Sequence, residues 1–188
     1  MGLLPKQTAF KGVRVILFGP ESTGKSTMAT YLAHFFSAPV AGEYMRSYLQ
    51  NKWDKNEQTC AYNDLLPIAK GQATAENNAL KQDKNLVFYD TNVRQLKVYA
   101  DIYYARVPEP IDDYLSSATY DLYLLMDNSV AWTPDDLRDK PQERDTMFQR
   151  FRTELIENNL AFSEISGTGN TRNEMAVQAV RDYLNKWN

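Results

Sequence analysis

The run Gly19-Pro20-Glu21-Ser22-Thr23-Gly24-Lys25-Ser26 decides how the rest of the chain is read. It is a complete G-x-x-x-x-G-K-[ST]. It follows an apolar, β-branched run from Val13 to Phe18 and opens a stretch with helical apolar spacing at Met28, Leu32, Phe35 and Phe36. That strand-loop-helix setting is what the chemistry requires. Glycines let the backbone turn tightly so that successive N–H groups converge on an anion, and a helix starting near Lys25 turns its positive end to the same point. Gly19, Glu21, Ser22, Thr23, Gly24, Lys25, Ser26 and Thr27 are therefore the expected contacts of a nucleoside triphosphate. Lys25 is expected at the β- and γ-phosphates and the Ser26 hydroxyl on Mg²⁺; for Thr27 a helix-interior place is the preferred reading. A chance match to this pattern in such a chain has a probability on the order of 1%.

Outward from the loop, short β-rich runs at Pro39 to Ala41, Leu86 to Tyr89, Leu122 to Met126 and Ala161 to Ile165 alternate with helical patterns. The helices are expected from about Glu57 to Lys81, Val93 to Tyr104, Arg144 to Asn158 and Arg172 to Trp187, with a turn at Pro108-Glu109-Pro110. Continuous apolar strands separated by helices imply an α/β, P-loop NTPase-type three-layer sandwich around a five-stranded, mainly parallel sheet. Ligands of such sheets sit beyond the carboxyl ends of the strands, so chemistry is sought there.

Composition sets the limits. The 188 residues suit one domain, expected to span 1–188. With 43% hydrophobic and 24% charged residues the chain is an ordinary globular one. A net charge of −3 gives no overall positive field toward nucleic acid or anionic lipid. The lone cysteine, Cys60, excludes an intrachain disulfide and reads as a small apolar residue in a reducing compartment. No stretch has signal-peptide or membrane-spanning character, and Lys6 stands where myristoylation would want Ser or Thr after Gly2. A cytoplasmic location is expected.

The loop implies nucleotide binding without naming a reaction. No Asn-Lys-x-Asp run and no D-x-x-G after a strand point to a signalling GTPase, and the chain is short for a motor or AAA-type ATPase. A compact, nucleoside/nucleotide-kinase-like enzyme remains. It needs carboxylates for an acceptor hydroxyl and a metal shell, and cations over the γ-phosphoryl. Glu43 and Asp90 follow the second and third strands. Asp90 and Thr91 would also cap the next helix, and Glu43 would also suit a helix first turn. Which carboxylate serves as base is left open. Arg46 is expected on phosphate or ribose.

After the fourth strand, Trp132-Thr133-Pro134-Asp135-Asp136-Leu137-Arg138, then Arg144 and Arg152, has the make-up of an Arg-bearing lid. Arg138 and Arg144 are the candidates for the γ-phosphate, against the alternative that these arginines only solvate a helix. Gly167-Thr168-Gly169-Asn170-Thr171-Arg172 either borders the adenine, with Arg172 on the nucleotide, or is a turn capped by Asn170 or Thr171. Tyr103 and Tyr104 are read as core in preference to substrate contact, which stays open, and His34, the only histidine, is given no role in catalysis.

Together these residues resemble the nicotinamide riboside kinase domain of the NadR family. The likeness is carried in order by residues 19–26, Glu43-Tyr44-x-Arg46, Ala69-x-Gly71-Gln72, Asp90-Thr91, Tyr123-Leu124-Leu125 and Trp132-x-x-Asp135-x-x-Arg138. It implies transfer of the γ-phosphate of ATP to the 5′-hydroxyl of nicotinamide riboside, giving nicotinamide mononucleotide in NAD salvage. In-line transfer would use Lys25, Glu43, Asp90, Arg138 and Arg144, with Ser26 and Asp90 at Mg²⁺. The substrate contacts would be Glu43, Tyr44, Arg46, Asp90, Trp132 and Asp135. The nicotinamide ring is a cation, which suits stacking on Trp132 or a tyrosine. Asn92 stands where the family often has a second Asp, and Asp136 where it usually has Gly. The fused adenylyltransferase and helix-turn-helix domains of the family are not expected in this chain. Two other readings stay open: a kinase for another nucleoside or a nucleoside monophosphate, and a non-catalytic ATP-binding regulatory module.

Overall fold

The computed structural model describes residues 3–82, 84–135, 137 and 141–187. The loop strand β1 (Val13–Phe18) leads into helix α1 (Lys25–Phe36). Then follow β2 (Val40–Ala41), α2 (Tyr44–Asn56), α3 (Leu65–Ala79), β3 (Leu86–Asp90), α4 (Val93–Tyr104) and α5 (Glu109–Ser117). The chain continues through β4 (Leu122–Met126), α6 (Arg144–Glu157), β5 (Phe162–Ile165) and α7 (Gly169–Trp187). The five strands form one sheet in the order β2-β3-β1-β4-β5 with every pairing parallel.

Alternation along β1 splits the core into the two outer layers expected of a three-layer sandwich. Val13, Val15 and Leu17 pack under α1 and α7, against Leu32 and Val180. Ile16 and Phe18 face the other side, against Val98, Phe151 and Leu155 of α4 and α6. Each such apolar side chain withdrawn from water contributes about 1.5–3 kcal/mol. A third cluster, with Leu49, Leu65, Leu96 and Ile111, joins α2, α3 and α5 to the outer side of α4. Among the described residues no helix is long and apolar enough to cross a membrane.

Three helices depart from the sequence reading. Glu57 was expected to begin a long helix, but it ends α2 in a left-handed C-cap with φ of 51°. The long helix starts only at Leu65, after a 3₁₀ turn at Tyr62–Asp64. Pro108-Glu109-Pro110 is the start of α5, because proline is tolerated in a first helical turn. α7 begins at Gly169, so Asn170 and Thr171 lie inside its first turn and do not cap it.

Candidate active site

Register places the first carboxylate. In the β1–β3 pairing Leu17 stands opposite Asp90, and the Thr91 amide donates to the Leu17 carbonyl at 3.2 Å. The strand end carrying Asp90 is thereby fixed beside the start of the loop. Gly19 cannot be replaced there: φ is 134°, and a Cβ would stand 2.7 Å from the Met126 carbonyl oxygen. Gly24, with φ of 78°, is the N-cap of α1, and its carbonyl accepts from the Met28 amide at 3.0 Å. The amides of the first turn of α1 are left to face the loop.

Lys25 is 7% exposed. Its Nζ donates to the carbonyls of Gly19 at 3.0 Å and Pro20 at 2.5 Å, holding the ammonium over the loop. Thr23 spends its hydroxyl on the Pro20 carbonyl at 2.9 Å. Asp90 is 6% exposed. Burial raises its pKa, opposed by a hydrogen bond with Ser26 and the charge of Lys25. Its Oδ1 is buried with no hydrogen-bond partner. A hydroxyl and a carboxylate with an unpaired oxygen are the hard oxygen donors that Mg²⁺ takes, so Ser26 and Asp90 fit the ion. Among the described residues no group of three or more His, Cys, Asp or Glu gathers.

Neither carboxylate is used as a helix cap. The cap of α4 is Asn92, whose Oδ1 accepts from the Gln95 amide at 3.3 Å. Glu43 occupies the N-cap position of α2 without a capping side-chain bond. It lines a cavity of about 520 Å³ that runs from loop residues 21–27 to an outer wall of Arg46, Leu65, Leu96, Tyr99, Tyr103 and Tyr104. Burial and the nearby carboxylates of Glu21 and Glu43 drive the Tyr99 pKa well up, so its hydroxyl stays protonated.

The other expected residues divide. Arg46 reaches the cavity and pairs with Asp135 at 2.9 Å. Tyr44 turns away: its ring lies on Gly71, where a Cβ would stand 2.1 Å from Cε1, and its edge lines a separate groove with Tyr48 and Lys52. Trp132 is half-buried and is not among the residues lining the cavity. Arg144 donates Nη2 to the carbonyls of Val130 at 2.9 Å and Ser22 at 3.3 Å, and the Thr133 amide donates to Ser22 Oγ at 2.9 Å. The segment after β4 is thus tied across the loop. Arg172, 4% exposed, binds Asp127 Oδ1 at 3.0 Å and the carbonyls of Gly167 at 2.9 Å and Thr23 at 3.0 Å. Its guanidinium braces the loop against the ends of β4 and β5. Arg138 and Asp136 lie outside the described residues. Arg152 pairs with Glu164 at 2.6 Å on an exposed face.

Tyr103 and Tyr104, for which core packing is preferred over substrate contact, both line the cavity, together with Cys60, and Tyr104 also packs against the third cluster. Tyr99 was not singled out at all. Its spacing of four from Tyr103 put two aromatics on one face of a helix starting beside Asp90, which was the available signal.

Comparison with known proteins follows this geometry. A family model, AAA_28, described as an AAA domain, matches residues 14–172. The chain belongs to the AAA_28 family. Short length counted against an AAA-type ATPase in the sequence, and the match to an AAA domain over residues 14–172 corrects that reading. The chain is 30% identical over 153 residues to the trifunctional NAD biosynthesis/regulator protein NadR of Salmonella typhimurium, covering 80% of this chain and 37% of that protein. It therefore spans about two fifths of that relative's length. A crystal structure of NadR protein in complex with NR superposes with a TM-score of 0.75 at 22% identity, over 92% of this chain and 52% of the other. Deoxyadenosine kinase from M. mycoides matches with a TM-score of 0.64 at 12% identity, over 90% of this chain and 100% of the other. The AAA_28 chain thus shares its fold with NadR and with a nucleoside kinase, and the likeness to NadR read from its motifs is met.

Proposed function

We propose that this protein phosphorylates nicotinamide riboside at its 5′-hydroxyl with ATP, giving nicotinamide mononucleotide. One observation carries the reading: the phosphate loop and Glu43 line the same cavity, whose size suits a nucleoside. The 30% identity to a NadR protein supports the substrate class. Mg²⁺, held by Ser26 and Asp90, would supply charge neutralisation on the phosphates. Lys25 leaves the carbonyls of Gly19 and Pro20 for the β- and γ-phosphates. Glu43 orients the acceptor hydroxyl and takes its proton, and the buried Tyr99 hydroxyl donates within the same space. Arg144, with Arg138, covers the γ-phosphoryl. The pyridinium ring meets the tyrosine wall of Tyr103 and Tyr104, where a cation-π contact is worth roughly 0.5–2 kcal/mol; of the two stacking partners expected, Trp132 or a tyrosine, this takes the tyrosine.

The test is purified protein with Mg-ATP and nicotinamide riboside, uridine or thymidine, each product read by mass. Mononucleotide from nicotinamide riboside, lost in Glu43→Gln and Asp90→Asn, supports the proposal. Phosphorylation of uridine or thymidine alone overturns the acceptor and leaves a nucleoside kinase. ATP binding with no phosphorylated product overturns the kinase.

A further inference from the structure

β2 and β3 are paired strands with Ala41 opposite Tyr89, so the sheet holds Asp90 at the end of β3 and brings the chain to within two residues of Glu43; the loops that leave the two strand ends need a further tie. The first amide of α2, on Tyr44 next to Glu43, receives no cap from its own helix. It donates instead to Gln72 Oε1 on α3 at 2.8 Å. Since Tyr44 N can only donate, the orientation of the Gln72 amide follows. Its Nε2 then faces the Thr91 carbonyl, next to Asp90, in a longer contact of 3.4 Å. The remaining Nε2 proton serves Glu76, one turn along α3, which has a hydrogen bond with Gln72. Glu76 Oε1 in turn accepts from the Val93 amide at the start of α4 at 3.3 Å. Gln72 is 3% exposed, so the bridge has little competition from water.

We propose that Gln72 is a positioning residue that clamps the Glu43 and Asp90 loops to one face of α3 and sets the separation of the two carboxylates. It touches no substrate, since it does not line the cavity. Its effect on rate rests on the kinase reading above; the clamp itself does not. Misplacing a reacting group by about 1 Å costs up to roughly 10²-fold in rate, so a lost clamp is a kcat effect.

Gln72→Met keeps the length of the side chain and removes all three bonds, to Tyr44 N, the Thr91 carbonyl and Glu76, whereas Gln72→Glu keeps an acceptor for Tyr44 N. The readouts are steady-state kinetics with Mg-ATP and the accepted nucleoside, and amide hydrogen exchange over the whole chain. Expected for Gln72→Met is a fall in kcat of about 10- to 100-fold, KM for ATP within twofold, and faster exchange confined to residues 43–45 and 91–93. Gln72→Glu is expected to recover protection at 43–45 and part of kcat. Unchanged exchange at both loops in Gln72→Met overturns the clamp. Faster exchange spread through the chain, or unchanged kcat with loosened loops, overturns the positioning role. A parent protein that phosphorylates no nucleoside sinks the kinase reading, and the exchange data still decide the clamp.

Discussion

Arg46 Nη1 lies 2.9 Å from Asp135 Oδ2, joining the first turn of α2 to the segment that crosses the phosphate loop. The pair is partly open to solvent, so it contributes below about 1 kcal/mol to stability. Its place at the rim of the cavity assigns it to closure. Asp135→Asn is expected to leave the urea midpoint nearly unchanged and to raise KM for the nucleoside several-fold. Equal losses in Arg46→Gln and in the double variant would show the two acting as a unit. A KM unchanged in all three variants would contradict closure.

Lys25 gives the sharpest loss. Its ammonium is buried against two loop carbonyls, and no neighbouring cation stands in the same run. Lys25→Met should reduce kcat by at least about 10²-fold, the usual cost of removing one preorganised charge stabiliser. The fold should persist, because methionine fills the space of the lysine stem and the Thr23 hydroxyl still donates to the Pro20 carbonyl. Single-turnover transfer measured by rapid quench checks this directly.

Arg144 separates two roles by magnitude. Its bonds to the Ser22 and Val130 carbonyls are neutral-acceptor contacts, worth about 1.5–3 kcal/mol with a charged donor. A residue that reaches the transferring phosphoryl is worth 10³- to 10⁵-fold in rate, by order of magnitude about 4–7 kcal/mol. Arg144→Ala is expected to lower kcat by about 10³-fold or more with a loss of stability of about 1.5–3 kcal/mol. A rate loss no larger than the stability change would make it a tie alone.

The local parts of this fold were legible in the chain. β1 and α4 begin and end where apolar period and flanking residues put them. The loop was legible because its glycines and lysine carry their chemistry within eight residues. α2 was not: of its thirteen residues only Leu49 is buried, so no apolar stripe announces a helix. α5 was hidden by two prolines that read as a turn. In the site, Asp90 and Glu43 could be named from strand ends, but that Trp132 and Tyr44 stand off the cavity wall could not be read, because the direction of a side chain depends on tertiary contacts. Tyr44 settles on Gly71, 27 positions away, and local sequence holds no record of that contact.

Glu76 makes stability depend on pH in an unusual direction. It is 1% exposed, and burial pushes its pKa up to about 7, against the pull of the Tyr120 hydroxyl, the Val93 amide, the Gln72 amide and the charge of Arg14. A carboxyl that binds its proton more tightly when folded favours the folded state at low pH. That advantage is lost as pH rises from the unfolded value near 4.3 through the folded value. Between pH 5 and pH 8 the parent should therefore lose about 3 kcal/mol relative to a variant without this group. Glu76→Gln keeps an acceptor and cannot ionise. Urea unfolding of both proteins across that range should show the variant overtaking the parent as pH rises, with the difference flat above pH 8. A difference independent of pH would mean that Glu76 stays charged, and the Tyr120 bond at 2.7 Å would then have to be read as a hydrogen bond to a carboxylate.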